Sequence, residues 1–193
     1  MMTRLIVFDC DGVLVDSEPI ACAATAEQLQ RLGLAITAEE IAARYIGMSA
    51  ASLYADLAQR CGLVVSPEQR QAINHAVDDR LAATVPAMPG VADAIDALTA
   101  AGLAVCVASS GTPRRIEGSL RRAGLWGRFE GRVFSATQVT HGKPAPDLFL
   151  HAAREMGVMP ARSVVVEDSL AGARAARAAA MRCLGFTGGG HAH

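Results

Sequence analysis

Two acids separated by one residue, Asp9 and Asp11, close the apolar run Leu5-Ile6-Val7-Phe8 and lead into Gly12-Val13-Leu14-Val15-Asp16-Ser17. Carboxylates this close at the mouth of a buried strand repel each other, a cost that points to a cation or to chemistry. A carboxylate can attack a phosphoryl group and form an aspartyl-phosphate, which divides one hard displacement into two easier ones. Asp9, at the strand tip, is the candidate nucleophile. Asp11 is the candidate acid and base, protonating the leaving oxygen and later taking a proton from water.

Three further stretches offer the remaining parts of such a site. Ser109-Ser110-Gly111 runs into Thr112-Pro113, a helix start, so Ser109 and the adjoining Ser110 can hold phosphate oxygens through hydroxyl and backbone N–H groups. Gly142-Lys143-Pro144-Ala145-Pro146-Asp147 fixes the Lys143 charge between prolines. Glu167 and Asp168 follow the run Val164–Val166 and complete, with Asp9 and Asp11, a set of hard oxygen donors suited to Mg²⁺. Dispersed histidines, His75, His141, His151, His191 and His193, and scattered cysteines offer no zinc site. Each stretch alone has a bland reading: a solvated turn, a helix start, a rigid loop, an acidic helix N-terminus. Their joint occurrence at strand ends favours a phosphoryl-transfer site.

The elements that must carry these residues are legible as apolar runs. Leu5–Phe8, Leu103–Ala108, Arg132–Phe134, Val164–Val166 and Arg182–Gly185 read as parallel strands buried on both faces, which appear as continuous rather than alternating apolar stretches. Helical patterns lie between them, as in Val91, Ala94, Ile95 and Leu98. Five of these end on a glycine followed by an apolar residue: Gly33-Leu34, Gly62-Leu63, Gly102-Leu103, Gly124-Leu125 and Gly157-Val158. The expected fold class is α/β, a Rossmann-like parallel sheet flanked by helices. Residues 17–85 contain no strand signal, only helix starts such as Thr37-Ala-Glu-Glu40 and Ser66-Pro-Glu-Gln69. They read as an inserted helical cap, with residues 1–16 and 86–193 forming the core. Arg114-Arg115 and Arg121-Arg122 read as an exposed helix face. The ending, Gly185 to His193, reads as a flexible tail where a doubly wound sheet would add a helix; either the chain stops short there or the tail is disordered.

Bulk composition narrows the partners. With 18 basic and 19 acidic residues among 193, the chain carries no charge excess that would seek nucleic acid or an anionic membrane. Neither a signal sequence nor a spanning segment is expected, and five unpaired cysteines (Cys10, Cys22, Cys61, Cys106, Cys183) suit packed thiols in a reducing cytoplasm. The expected partner is a small phosphorylated metabolite, bound by a monomer or weak dimer.

Asp9-Cys10-Asp11-Gly12-Val13-Leu14-Val15-Asp16-Ser17, Ser109, Lys143 and Glu167-Asp168 together resemble the four motifs of the haloacid dehalogenase-like hydrolases. The inserted segment is similar to the cap of the subgroup with β-phosphoglucomutase and phosphosugar phosphatases. The resemblance implies Mg²⁺, an aspartyl-phosphate on Asp9, acid/base work by Asp11 with its backbone carbonyl on the metal, phosphate contacts from Ser109 and Lys143, and metal ligation by Glu167 and Asp168. It also implies phosphate-ester chemistry rather than dehalogenation, because dehalogenases lack the second acid. The His, Lys and Arg that mark the mutases are absent from Pro19–Cys22 and from Ile46–Ala50, which leaves a phosphatase as the first reading. A phosphosugar mutase and a non-catalytic interaction protein are the alternatives. Closure of the cap would select the substrate through Glu18, Arg44, Tyr45 and Ser49.

Overall fold

In the computed structural model, residues 2–45 and 50–189 are described, apart from the side chain of Ala51. Five strands form one parallel sheet in the order β3-β2-β1-β4-β5: β1 (Leu5–Phe8), β2 (Ala104–Ser109), β3 (Val133–Ser135), β4 (Ser163–Glu167) and β5 (Arg182–Gly185). The expected strands are all present, displaced by at most a residue at either end. The chain moves outward from β1 to β3 and then returns to lay β4 on the other side of β1. Phe8 therefore pairs with Val107 and with Val166, and the crevice beyond the carboxyl ends of β1 and β4 is the switch point where open sheets of this kind bind ligands.

Alternation along the strands divides their side chains between two layers. Ile6, Phe8, Val105, Val107 and Val164 pack with Ile95, Ile116, Leu120 and Phe129 on one face. Leu5, Val7, Cys106, Ala108, Phe134 and Val165 pack with Leu148, Phe149, Ala175 and Ala176 on the other. The first layer draws on α5 (Val91–Ala100), α6 (Pro113–Arg122) and α7 (Trp126–Phe129), the second on α8 (Asp147–Glu155) and α9 (Leu170–Ala178). Burial on both faces is why the strands read as unbroken apolar runs.

Between β1 and α5 the chain builds α1 (Glu18–Arg31), α2 (Ala38–Tyr45), α3 (Ala50–Cys61) and α4 (Pro67–Thr84). Both expected capping boxes form: Thr37 exchanges hydrogen bonds with Glu40, and Ser66 with Gln69. The five helix-closing glycines all have positive φ, between 65° and 89°. A hydrophobic cluster of their own, including Leu29, Ile41, Tyr45, Leu57 and Ile73, joins these helices. Helix α4 belongs to both worlds: Ile73 packs in that cluster, whereas Val77 and Leu81 pack against the sheet layer. The two crossings into this excursion run side by side, with Val15 bridged to Ala87, the Asp16 N–H donating to Pro86 O (3.1 Å) and the Met88 N–H to Leu14 O (2.9 Å).

Candidate active site

Asp9 lies immediately beyond β1, its N–H donating to Val166 O of β4 at 3.0 Å, so the sheet ladder itself aims the residue into the switch-point crevice. Glu167 ends the neighbouring strand. Their carboxylates and that of Asp168 come within 4.8 Å of one another. Lys143 enters from the loop before α8 and donates to Asp9 Oδ1 at 2.8 Å and to Glu167 Oε2 at 2.7 Å. The second Glu167 oxygen accepts from the Ser169 N–H and hydroxyl, at 3.1 and 2.8 Å. Lys143 also stands 5.0 Å from the centre of the Phe149 ring, which floors its ammonium with a negative π face.

The electrostatics follow from burial. Asp9 and Glu167 are 8% and 2% exposed. Desolvation lifts the Asp9 carboxyl to about 7, with Lys143 pulling it down and Glu167 pushing it further up. For Lys143, desolvation acts downward, but the charges and hydrogen bonds of Asp9 and Glu167 outweigh it and push the ammonium up to about 12. Lys143 bonds two of the three clustered carboxylates, Asp9 and Glu167, so the cluster gathers hard anionic oxygens around a single shared ammonium contact. A divalent cation fits that donor set in charge and in ligand chemistry.

Two glycines make the close packing possible. Gly12 has φ +77°, and a Cβ there would overlap the Asp168 carboxylate. A Cβ on Gly172, in the first turn of α9, would overlap the Glu167 carboxyl group. The tail also reaches this place: a Cβ on Gly189 would stand 2.5 Å from Gly12 O and 2.9 Å from Asp168 Oδ2. Of the tail read as flexible, residues 190–193 lie outside the described residues.

Ser109 is buried at the end of β2, its hydroxyl oxygen accepting from the Gly111 N–H at 3.2 Å. Ser110 is exposed at the turn. Ser135 Oγ donates to Gly111 O at 2.6 Å, which ties this turn to the end of β3. Thr112 caps α6 by accepting from the Arg115 N–H, with Pro113 in the first turn as expected.

Asp11 departs from the expectation of four converging carboxylates. Its side chain is absent from the cluster of three, and its Oδ2 instead forms an ion pair with Arg115 Nη2 at 3.1 Å. Arg115 is accordingly not part of an exposed face, as the paired arginines suggest: its side chain is 26% exposed, against 82% for Arg114 and 56% for Arg121. A signal for this was present. Ile116, Ser119 and Leu120 form the buried stripe of α6, and Arg115 sits one turn before the small Ser119, on the margin of that stripe.

The insertion candidates are dispersed. Glu18 opens α1, and Arg44 pairs along its own helix with Glu40 at 3.9 Å. Tyr45 is buried in the insertion's cluster and donates its hydroxyl to Asp56 at 2.6 Å. Ser49 lies outside the described residues, as does most of the stretch Ile46–Ala50. Of the histidines, His141 pairs with Asp147 and His151 stacks edgewise on Phe134, in keeping with surface and packing roles. Cys61 is exposed, unlike the buried Cys10, Cys22 and Cys106, so the expectation of packed thiols fails there. Among the described residues no helix is long and apolar enough to cross a membrane.

Residues 3–180 match the family model of haloacid dehalogenase-like hydrolases, and the chain belongs to that family and to its hydrolase class. Among curated relatives it is 29% identical to 6-phosphogluconate phosphatase of Escherichia coli, covering 98% of this chain and 86% of that one. It is likewise 29% identical to hexitol phosphatase B of Escherichia coli, over 92% of this chain and 81% of the relative. A solved structure of a haloacid dehalogenase-like protein of unknown function from Agrobacterium tumefaciens superposes with a TM-score of 0.85 and 38% identity, over 98% of this chain and 85% of that one.

Proposed function

We propose that this hydrolase is a phosphatase that cleaves the phosphate monoester of a small phosphorylated sugar or polyol through an aspartyl-phosphate on Asp9. The observation that carries this reading is the buried Asp9 carboxylate at the switch point, bonded to Lys143 and clustered with Glu167 and Asp168. Similarity to phosphatases of 6-phosphogluconate and of hexitol phosphates supports the substrate class.

In this reading Asp9 attacks phosphorus while Asp11 gives a proton to the departing alcohol oxygen. Asp11 then takes a proton from the water that opens the aspartyl-phosphate. Ser109, the Ser110 N–H and Lys143 hold the equatorial phosphoryl oxygens, whose spread charge is the main burden of such a transition state. Asp9, Glu167, Asp168 and the Asp11 backbone carbonyl would hold Mg²⁺, which would supply the remaining positive charge. Residues 1–16 and 86–193 form the catalytic core, and residues 17–85 the cap that closes over the alcohol.

Phosphate release from a panel of sugar and polyol phosphates, with Mg²⁺ and then with chelator, tests this. Release that chelator suppresses, and that Asp9→Asn and Asp11→Asn each abolish or cut by at least roughly 100-fold, is the expected result. Undiminished release from Asp9→Asn overturns the covalent role; silence of the folded wild type across the panel overturns the activity.

A further inference from the structure

Arg115 is a half-buried cation that the reaction described above does not use, and it lies beside two acids from different parts of the molecule. Nη2 meets Asp11 Oδ2 at 3.1 Å, and Nε lies 3.9 Å from Asp78 Oδ1 on α4. Asp11 Oδ1 is buried and accepts no hydrogen bond among the described residues. The guanidinium is thus what fixes the rotation of the Asp11 carboxylate. Partial burial of all three side chains, 26%, 29% and 18% exposed, keeps these contacts from the screening that weakens surface pairs. The neighbouring pair Arg114–Asp79, both side chains more than two-thirds exposed, contributes little by the same measure.

The backbone around Arg115 is rigid and close to α4. Thr112 caps the helix one turn before it, and Ile116 and Leu120 anchor the same helix in the sheet layer. Gly118 lets α4 approach: a Cβ there would stand 3.1 Å from Ala82 Cβ. Gly in a helix interior costs about 0.5–1 kcal/mol relative to Ala, so the close approach is what the glycine provides. Asp78 sits on α4 between Val77 and Leu81, which pack on the core, and beyond Ile73, which packs in the insertion's own cluster. A shift of the insertion therefore reaches Asp78, and through the shared guanidinium it reaches Asp11.

We propose that Arg115 is a positioning residue that sets the Asp11 carboxylate and couples its orientation to helix α4 through Asp78. The inference rests on the acid/base role proposed for Asp11. It differs from a general structural role because its effect depends on the leaving group. An alkoxide from a sugar or polyol phosphate needs a proton as the P–O bond breaks, whereas nitrophenolate departs without one. Because kcat/KM covers steps only up to departure of the leaving group, it isolates that difference.

The test compares kcat/KM for a polyol phosphate and for p-nitrophenyl phosphate in wild type, Arg115→Ala, Arg115→Lys and Asp78→Asn, with a thermal melt of each. General acid catalysis is worth about 10²–10⁴-fold, and misplacing the acid forfeits part of it. Arg115→Ala is expected to lose roughly 10–100-fold on the polyol ester and less than about threefold on the aryl ester. Lysine can reach one acid but not both, so Arg115→Lys and Asp78→Asn are expected to show the same selectivity at a smaller size, about 3–10-fold. These two variants carry the test if Arg115→Ala melts below the assay temperature. Equal losses on both esters, or a rise confined to KM on both, overturn the positioning role while leaving the phosphatase standing. A wild type inactive on both esters sinks the phosphatase reading and this one with it, a failure that shows before any variant is made.

Discussion

Asp9 and Asp11 are two residues apart, yet the regions that receive their side chains differ in almost every respect. Asp9 lies with Lys143 and Glu167, all supplied by strand ends and an adjoining loop, with little of any side chain exposed. Asp11 meets a guanidinium from α6, about a quarter exposed to solvent and shared with a helix of the insertion. The first environment depends on the sheet and the elements packed directly on it; the second depends on where α4 stands. A chain can in this way build one acid as a fixed fitting and the other as an adjustable one, without separating them in sequence.

Replacing the fixed acid has the largest consequence. Asp9→Asn is expected to remove turnover by roughly 10⁵-fold or more, the scale of losing a covalent nucleophile, as steady-state kinetics will show. The same substitution sharpens the contrast in stability. A carboxyl raised from 3.8 to about 7 in the folded state stabilises the fold at low pH, and that contribution is lost as pH rises through 7. In chelator, wild type should melt lower at pH 8 than at pH 5, and Asp9→Asn should flatten that fall; a steeper fall in the variant contradicts the assignment.

Lys143→Met comes next. It leaves two buried carboxylates without their cation, and breaking a buried pair in this manner costs about 3–5 kcal/mol. Urea titration measures that loss, and a chain unmoved in its midpoint would show the ammonium to be dispensable.

Gly172→Ala strikes the same region more gently. The added methyl forces Glu167 from its bonds to Ser169 and Lys143, an overpacking cost of roughly 1–3 kcal/mol that outweighs the helix preference for alanine. Turnover should fall with it.

Gly118→Val is the counterpart on the adjustable side. It wedges α4 away from α6 at Ala82, for about 1–2 kcal/mol, and is expected to slow polyol esters more than aryl ones. An equal effect on both would erase the distinction between the two regions.

Much of the Asp9 region was legible in the sequence, and most of the Asp11 region was not, for physical reasons. Parallel strands buried on both faces leave uninterrupted apolar runs, and the residues that end them, Asp9, Ser109 and Glu167, are local to those runs. Lys143 declared itself by the prolines around it. Arg115 depends instead on Asp78, which is near only because α4 lies against α6. The doublets Arg114-Arg115 and Arg121-Arg122 look alike as letters, and the stripe of Ile116, Ser119 and Leu120 separates the half-buried arginine from its neighbours. Phe149 beneath Lys143 and the clearance at Gly172 are tertiary facts with no local signature. Tyr45 donates its hydroxyl to Asp56 of α3, a partner eleven residues away that no local pattern announces.

The paired crossings at Val15 and Ala87 have a consequence for how freely this molecule can vary. Two hydrogen bonds hold the beginning and end of the excursion together, so the sheet sees a closed doorway whatever is built beyond it. Loop-closure entropy grows only with the logarithm of length, about 0.6 kcal/mol for each doubling. Insertions or deletions between Ser17 and Val85 therefore burden the sheet little, provided that the surface of α4 against α6 is kept, and the segment can be rebuilt over generations while the doorway stays in place.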